Sequence, residues 1–237
     1  MTLLEVRELV AGYGKLKILY GIDLEVRKRE IVAVVGPNGS GKSTLLKAIA
    51  GIATVHAGRI LFDGSDVTRM KPHEKARLGL AYLPQTDNVF SRLTVRENLI
   101  LAGYTLSKEE FNKRLEEVLN FLPRVREFLD RKVWTLSGGE RQMVAMAMAV
   151  LREPKLIMLD EPTAALAPKV AAQILEKIVE LRDELGLGIL LVEQNAKKAL
   201  EISDRAVLLV AGREVYSGPA SDLLSRSDLG RMYLGVT

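Results

Sequence analysis

Eight residues constrain the fold of this chain more than any others: Gly36-Pro37-Asn38-Gly39-Ser40-Gly41-Lys42-Ser43. The pattern is Gly, four residues, then Gly-Lys-Ser, the spacing of a phosphate-binding loop. Its flanks are those such a loop needs. Ile31-Val32-Ala33-Val34-Val35 is an apolar, largely β-branched run, which predicts a buried strand. Thr44 to Ala50 carries apolar residues at helical spacing, with Gly51 as its stop. Glycines let the backbone turn tightly, so that several N–H groups face one hollow. A triphosphate needs many donors at close range, and the positive end of the helix adds to them. At these positions Lys42 is expected to reach the β- and γ-phosphates and the Ser43 hydroxyl to ligate Mg²⁺.

Composition narrows the remaining choices. The 237 residues suffice for one large domain or a domain with an inserted lobe. There is no cysteine, so disulfides and thiolate metal sites are excluded, and His56 and His73 alone make a poor histidine site. With 34 basic and 30 acidic residues the net charge is +4, which does not argue for a nucleic-acid partner. No apolar run approaches the about 18 residues of a membrane span, and Met1 to Glu5 lacks the order of a signal peptide. A cytoplasmic protein is the expectation.

Along the chain, Leu4 to Val10 and Ile18 to Val26 read as strands joined by a turn at Ala11-Gly12-Tyr13-Gly14. The Tyr13 ring either stacks on an adenine face or is an ordinary half-buried tyrosine. Gly58 to Phe62 and Leu80 to Leu83 are further strands, and Pro72 to Arg77 a short helix. After Pro84-Gln85 the character turns helical up to about Arg152, with capping boxes at Thr94–Glu97 and Ser107–Glu110. In between, Phe90 is either an exposed partner contact or one buried anchor in a loop. Strands return at Lys155 to Glu161, Gly188 to Val192, Ala206 to Val210 and Glu214 to Tyr216, with a long helix from Pro168 to Leu185 and a helical tail from Pro219. The expectation is an α/β fold of the phosphate-loop NTPase type. It has a mixed, largely parallel core sheet, an N-terminal antiparallel β-subdomain and an inserted α-helical lobe. Residues 1–237 then form one domain, with 1–85 and 153–237 as the catalytic part and about 86–152 as the helical lobe.

Asp160 and Glu161 end a buried strand downstream of the loop. In such folds that end lies beside the loop, at the carboxyl edge of the sheet. Asp160 is then placed to hold Mg²⁺, and Glu161 to orient or deprotonate a water for in-line attack. Leu136-Ser137-Gly138-Gly139-Glu140 opens the Arg141 to Leu151 helix. It is either an ordinary glycine cap or a second anion-binding helix start, which would serve a nucleotide held by another copy.

In this order the motifs resemble the ATP-binding-cassette ATPases, over essentially the whole chain. The resemblance implies that Tyr13, Gly36, Pro37, Asn38, Gly39, Ser40, Gly41, Lys42, Ser43 and Thr44 hold ATP. It implies that Ser43, Gln85 and Asp160 serve Mg²⁺, and that Glu161, Gln194 and Gln85 serve catalysis. Ser137, Gly138, Gly139 and Glu140 would contact the ATP of the opposite subunit in a head-to-tail dimer, homomeric or with a second ATPase subunit. Two departures stand out: Ala167 where the family has an Asp, and Gln194 where it has a switch histidine. On residues alone, Gln194 is also a candidate polar cap for the next helix. With the ending Tyr233-Leu234-Gly235, these features look like the LivF-type ATPase subunits of branched-chain amino-acid importers. That implies membrane permease subunits on the inner face of the membrane, and indirectly a periplasmic or extracellular solute-binding protein. Other readings are the ATPases of amide, urea or lipopolysaccharide systems. Cassette ATPases of DNA repair need a coiled-coil or zinc insertion, and those of translation need two cassettes; the chain shows neither.

Overall fold

The structure is a computed structural model that describes residues 1–226 and 230. Strands β1 (Thr2–Tyr13) and β2 (Leu16–Arg27) form an antiparallel hairpin, and β3 (Ile31–Val35) leads through the glycine loop into α1 (Lys42–Ala50). Next come β4 (Thr54–Phe62), β5 (Ser65–Asp66), α2 (Pro72–Arg77) and β6 (Leu80–Leu83). Four helices follow: α3 (Val95–Ala102), α4 (Lys108–Phe121), α5 (Pro123–Arg126) and, after a 3₁₀ turn at Val133–Thr135, α6 (Gly138–Val150). The chain then alternates: β7 (Leu156–Asp160), α7 (Pro168–Asp183), β8 (Gly188–Val192), α8 (Ala196–Ile202), β9 (Arg205–Val210), β10 (Arg213–Pro219) and α9 (Ala220–Ser225).

Two sheets result. The first is antiparallel, in the order β2-β1-β4-β5; the second runs β10-β9-β3-β8-β7-β6. In the second only β10 is antiparallel to its neighbour. Its central strands are apolar throughout because both faces are covered. Val32 and Val34 pack towards α1 and the first sheet, with Leu45 and Ile49. Ile31 and Ala33 face the opposite core, shared with Val95, Leu119 and Val144 of the helices. The parallel strands put the residues that follow β3, β6, β7 and β8 at one carboxyl edge.

Several boundaries differ from the sequence reading. Strand β1 runs past Val10 to Tyr13, which pairs with Leu16, so the expected turn at Ala11 to Gly14 shrinks to Gly14-Lys15. Strand β4 begins at Thr54, not Gly58, because Val55 and Ala57 pair with Ala11 and Val10. Tertiary pairing supplies what the polar local sequence does not. Helix α6 starts at Gly138 instead of Arg141, because Ser137 caps it. The Tyr233-Leu234-Gly235 ending lies outside the described residues.

Candidate nucleotide-binding site

Helix α1 opens onto the site with bare donors. Its N-cap, Gly41, sits at φ 103°, and no side chain caps the helix. A Cβ on Gly41 would lie 2.6 Å from Leu19 Cδ2, so both backbone conformation and space call for glycine. The first turn holds no acidic residue, which leaves its N–H groups facing the loop without an internal acceptor. Lys42 is 5% exposed, and its Nζ donates to the carbonyls of Gly36 (2.9 Å) and Pro37 (3.1 Å). An ammonium has three donors, so one direction remains beyond those two bonds. Burial pulls the Lys42 pKa down, against the opposing charges of Glu161 and Asp160.

The carboxylates come from the end of β7. Asp160 is 4% exposed, and each of its oxygens accepts from a hydroxyl: Oδ1 from Ser43 Oγ at 2.8 Å, Oδ2 from the Tyr82 hydroxyl at 3.1 Å. Glu161 takes the left-handed conformation, φ 49°, while its N–H donates to Val192 O at 2.9 Å. That backbone state costs a non-glycine residue about 1–3 kcal/mol and marks a position whose direction matters. It turns Glu161 out of the strand's alternation, so that Glu161 Oε2 accepts from Gln85 Nε2 at 3.0 Å.

Beyond β8, Gln194 Nε2 donates to Asn38 Oδ1 of the loop at 3.3 Å. The capping alternative for Gln194 does not hold, because Asn195 caps α8 by accepting from the Lys198 N–H. Between β8 and Gln194, Glu193 is 2% exposed and receives the Thr163 N–H (3.0 Å) and hydroxyl (2.7 Å). Burial pushes its pKa up, and the Thr163 bonds work against that. At Ala167, the N-cap of α7, no side chain caps the helix, and Pro168 supplies the first helical residue.

One cleft of about 540 Å³ gathers Tyr13, Asn38, Gly39, Gly41, Lys42, Ser43, Thr44, Gln85, Glu161 and Gln194, together with Ile18. Asp160 lies under it through Ser43. The Leu136 to Glu140 stretch is not part of its lining. Of its two readings, a helix cap is present: Ser137 and Glu140 form a reciprocal capping box, in which Ser137 N–H donates to Glu140 Oε2 (2.8 Å) and Glu140 N–H to Ser137 Oγ (3.3 Å). The box uses these two N–H groups and not those of Gly138 and Gly139. The Ser137 N–H also holds the Glu140 carboxyl below its usual range. The two glycines serve close packing, since a Cβ on Gly138 would meet Leu166 Cδ2 at 2.8 Å and one on Gly139 would meet Val170 Cγ1 at 2.3 Å.

A model of the ABC transporter family matches residues 19–164. The chain belongs to that family. Over 229 residues it is 54% identical to a probable branched-chain amino acid transport ATP-binding protein LivF of Archaeoglobus fulgidus, covering 97% of each chain. It is 40% identical over 223 residues to the high-affinity branched-chain amino acid transport ATP-binding protein BraG of Pseudomonas aeruginosa, covering 94% of this chain and 95% of that one. Its fold matches the crystal structure of an ATP-binding cassette of an ABC transporter in the ADP conformation, with a TM-score of 0.88, 29% identity and 99% coverage of both chains. As an ABC cassette the chain has the α/β fold expected, and it is an ATPase coupled to transport. Among the described residues, no helix is long and apolar enough to cross a membrane.

The donor set suits Mg²⁺ bound together with a nucleotide. Ser43 Oγ and the Asp160 carboxylate are hard oxygens 2.8 Å apart. Among the described residues no group of three or more His, Cys, Asp or Glu could hold a metal alone. Mg²⁺ commonly takes one or two protein oxygens and fills its octahedron with phosphates and water. Sequence reading missed Tyr82 and Glu193. Tyr82 carries no local signal, because its partner is 78 residues away. Glu193 was visible as an acid directly after an apolar strand, a position that calls for a buried partner.

Proposed function

We propose that this chain is the ATP-hydrolysing subunit of an importer for branched-chain amino acids, bound to membrane permease subunits on the cytoplasmic face. The observation that carries the catalytic reading is the single cleft holding the loop, Tyr13, Gln85, Glu161 and Gln194 above Asp160. The solute class is supported by the 54% identity to the LivF relative.

In this reading the Tyr13 ring, 44% exposed, stacks on the adenine. The N–H groups from Gly39 to Thr44 and the Lys42 ammonium hold the phosphates. Ser43 and Asp160, with Gln85 at the neighbouring strand end, would hold Mg²⁺, which would supply positive charge against the phosphates. Glu161 orients the attacking water and takes its proton as the water oxygen bonds to the γ-phosphorus. The bond from the γ-phosphorus to the bridging oxygen breaks, and ADP leaves. Gln194 donates to a γ-phosphate oxygen from its amide, a neutral substitute for a switch histidine. Ser137 to Glu140 meet the nucleotide of a partner cassette, a second copy or a related subunit. The Ser137 hydroxyl accepts from Glu140 N–H and turns its own proton from the Glu140 carboxylate to that contact.

The transport partner fits a groove of about 260 Å³ between β6 and the helices, lined by Ala76, Leu80, Pro84, Ala102 and Met148. Two residues beyond Asn88, which lines the groove, Phe90 is 56% exposed while Asn98 holds its backbone, accepting from Phe90 N–H at 2.7 Å and donating to Phe90 O at 3.1 Å. A pinned backbone carrying an outward aromatic suits a contact with a helix of the membrane subunit. The test is reconstitution with the permease subunits and the binding protein from the same operon. Leucine is expected to stimulate ATP hydrolysis, and Phe90→Asp to abolish uptake while sparing hydrolysis by the isolated subunit. Stimulation by another solute and not by leucine, isoleucine or valine overturns the solute class.

A further inference from the structure

Five strands of the second sheet, β3, β6, β7, β8 and β9, present residues of one parity to the core shared with α1. On β7 these are Leu156, Met158 and then Asp160; on the edge strand β6 they are Leu80 and Tyr82. Tyr82 pairs in register with Met158, one strand over and two residues short of Asp160. A phenol has the reach to span that diagonal, and its hydroxyl donates to Asp160 Oδ2 at 3.1 Å. The other oxygen, Oδ1, is held by Ser43 at 2.8 Å. The carboxylate is therefore clamped at both ends, and its plane is fixed.

We propose that Tyr82 is a positioning residue for the metal, acting through Asp160. The inference rests on the Mg-nucleotide reading of the cleft. A lone bond from Ser43 leaves a carboxylate free to rotate about the Cβ–Cγ axis, and Ser43 is itself the residue that would turn to the metal. When it does, the Tyr82 hydroxyl is the remaining side-chain bond that keeps Asp160 aimed. A carboxylate oxygen has room for more than one donor, so holding Oδ2 does not consume the acceptor capacity that a metal or its water uses. Partners behind a metal ligand orient it and tune its affinity in this way. A phenol carries its proton at neutral pH, so Tyr82 is the donor of this bond. The competing role is packing: Tyr82 packs against the core shared with α1 and needs no hydroxyl for that.

Tyr82→Phe separates the two roles, because it keeps the ring and removes the donor. Binding of Mn²⁺ with ADP, followed by electron paramagnetic resonance, is expected to weaken by about tenfold, the lower end of the range for such partners. The Mg²⁺ concentration for half-maximal ATP hydrolysis rises by the same factor. Binding of a fluorescent ADP analogue in EDTA stays unchanged. In an Asp160→Asn background, Tyr82→Phe changes metal affinity no further. Unaltered Mn²⁺ affinity in Tyr82→Phe overturns the proposal, and so does an equal loss of nucleotide affinity in EDTA. A collapse of its melting temperature also overturns it, since the hydroxyl then serves the fold. If the unsubstituted protein shows no metal-dependent tightening of nucleotide binding, the Mg-nucleotide reading itself fails; if it does, only the role of Tyr82 is at stake.

Discussion

Helices α1 and α6 each begin at a glycine-rich stretch read as a phosphate contact, yet only α6 carries a side-chain cap at that end. Helix α1 is bare at its N-terminus and held at its C-terminus. There Gly51 takes φ 82° and closes on Ala48 O, the Ile52 N–H donates to Lys47 O, and the buried Lys75 Nζ donates to Ile49 O at 2.8 Å. Helix α6 is held at both ends, with Arg152 N–H on Ala149 O and Glu153 N–H on Val150 O at its C-terminus. The Ser137–Glu140 box closes its N-terminus, and it ends at Leu151 in ordinary right-handed geometry. The difference is chemical. The donors of α1 have no partner of their own, so a phosphate that arrives replaces water and nothing else. Those of α6 are partly satisfied already, and a carboxylate stands in its first turn. The first end can hold a nucleotide alone. In the proposed function the second adds to a nucleotide already held, through the Ser137 hydroxyl, so that one cassette binds ATP and two close on it.

The largest expected effect breaks chemistry while leaving that comparison intact. Glu161→Gln lowers kcat by about 10²- to 10⁴-fold, the range for losing a general base, and leaves ATP affinity within a factor of about two. Steady-state hydrolysis and equilibrium dialysis check the two halves. Next in size, Lys42→Ala attacks the α1 end directly. It removes a charge-assisted bond to phosphate, so affinity for ATP falls by about 10- to 100-fold, measured by calorimetry on the isolated subunit. A loss of turnover without a loss of affinity would show that α1 does not bind by itself.

The smallest effect concerns the far end of α1. Burial brings the Lys75 pKa down to about 8, with Asp66 opposing. The unfolded chain has an ordinary lysine pKa of about 10.4 and therefore binds more protons than the folded one between those values. Stability from this group thus rises with pH from about 8 to about 10, while below pH 8 the cost of the buried charge is fully present. Against Lys75→Met, which does not titrate, the native protein should gain about 5–10 °C in melting temperature as pH goes from 7 to 10. A difference that stays flat with pH would mean that Lys75 keeps an ordinary pKa.

What the sequence made legible follows from how local each signal is. Ile31–Val35, Leu80–Leu83 and Gly188–Val192 were read with the boundaries the structure has, because runs covered on both faces need no partner to be recognised. The Thr94 and Ser107 boxes likewise carry their own donors and acceptors within four residues. The start of β4 and the end of β1 were misread because Val55 and Ala57 become strand only by pairing with Ala11 and Val10. In the site, the loop and the Asp160-Glu161 pair announce themselves by spacing. The contacts that tie them together do not: Ser43 to Asp160, Gln85 to Glu161 and Asn38 to Gln194 each span 76 to 156 residues. The closed cap at Ser137 was written in the sequence as Ser-Gly-Gly-Glu, the spacing of a capping box.

The division of labour between α1 and α6 is tested most directly by Ser137→Ala in a Glu161→Gln background. Two quantities are measured with Mg-ATP: affinity at protein concentrations where the subunit is monomeric, and association by sedimentation velocity. Glu161→Gln alone should form a dimer when ATP is added. With Ser137→Ala added, affinity should stay within about threefold and the dimer should be lost. The cap's removal should cost only about 1 kcal/mol of stability, too little to unfold the protein. A Ser137→Ala variant that binds ATP as weakly as Lys42→Ala, or that dimerises as well as its parent, would contradict the account.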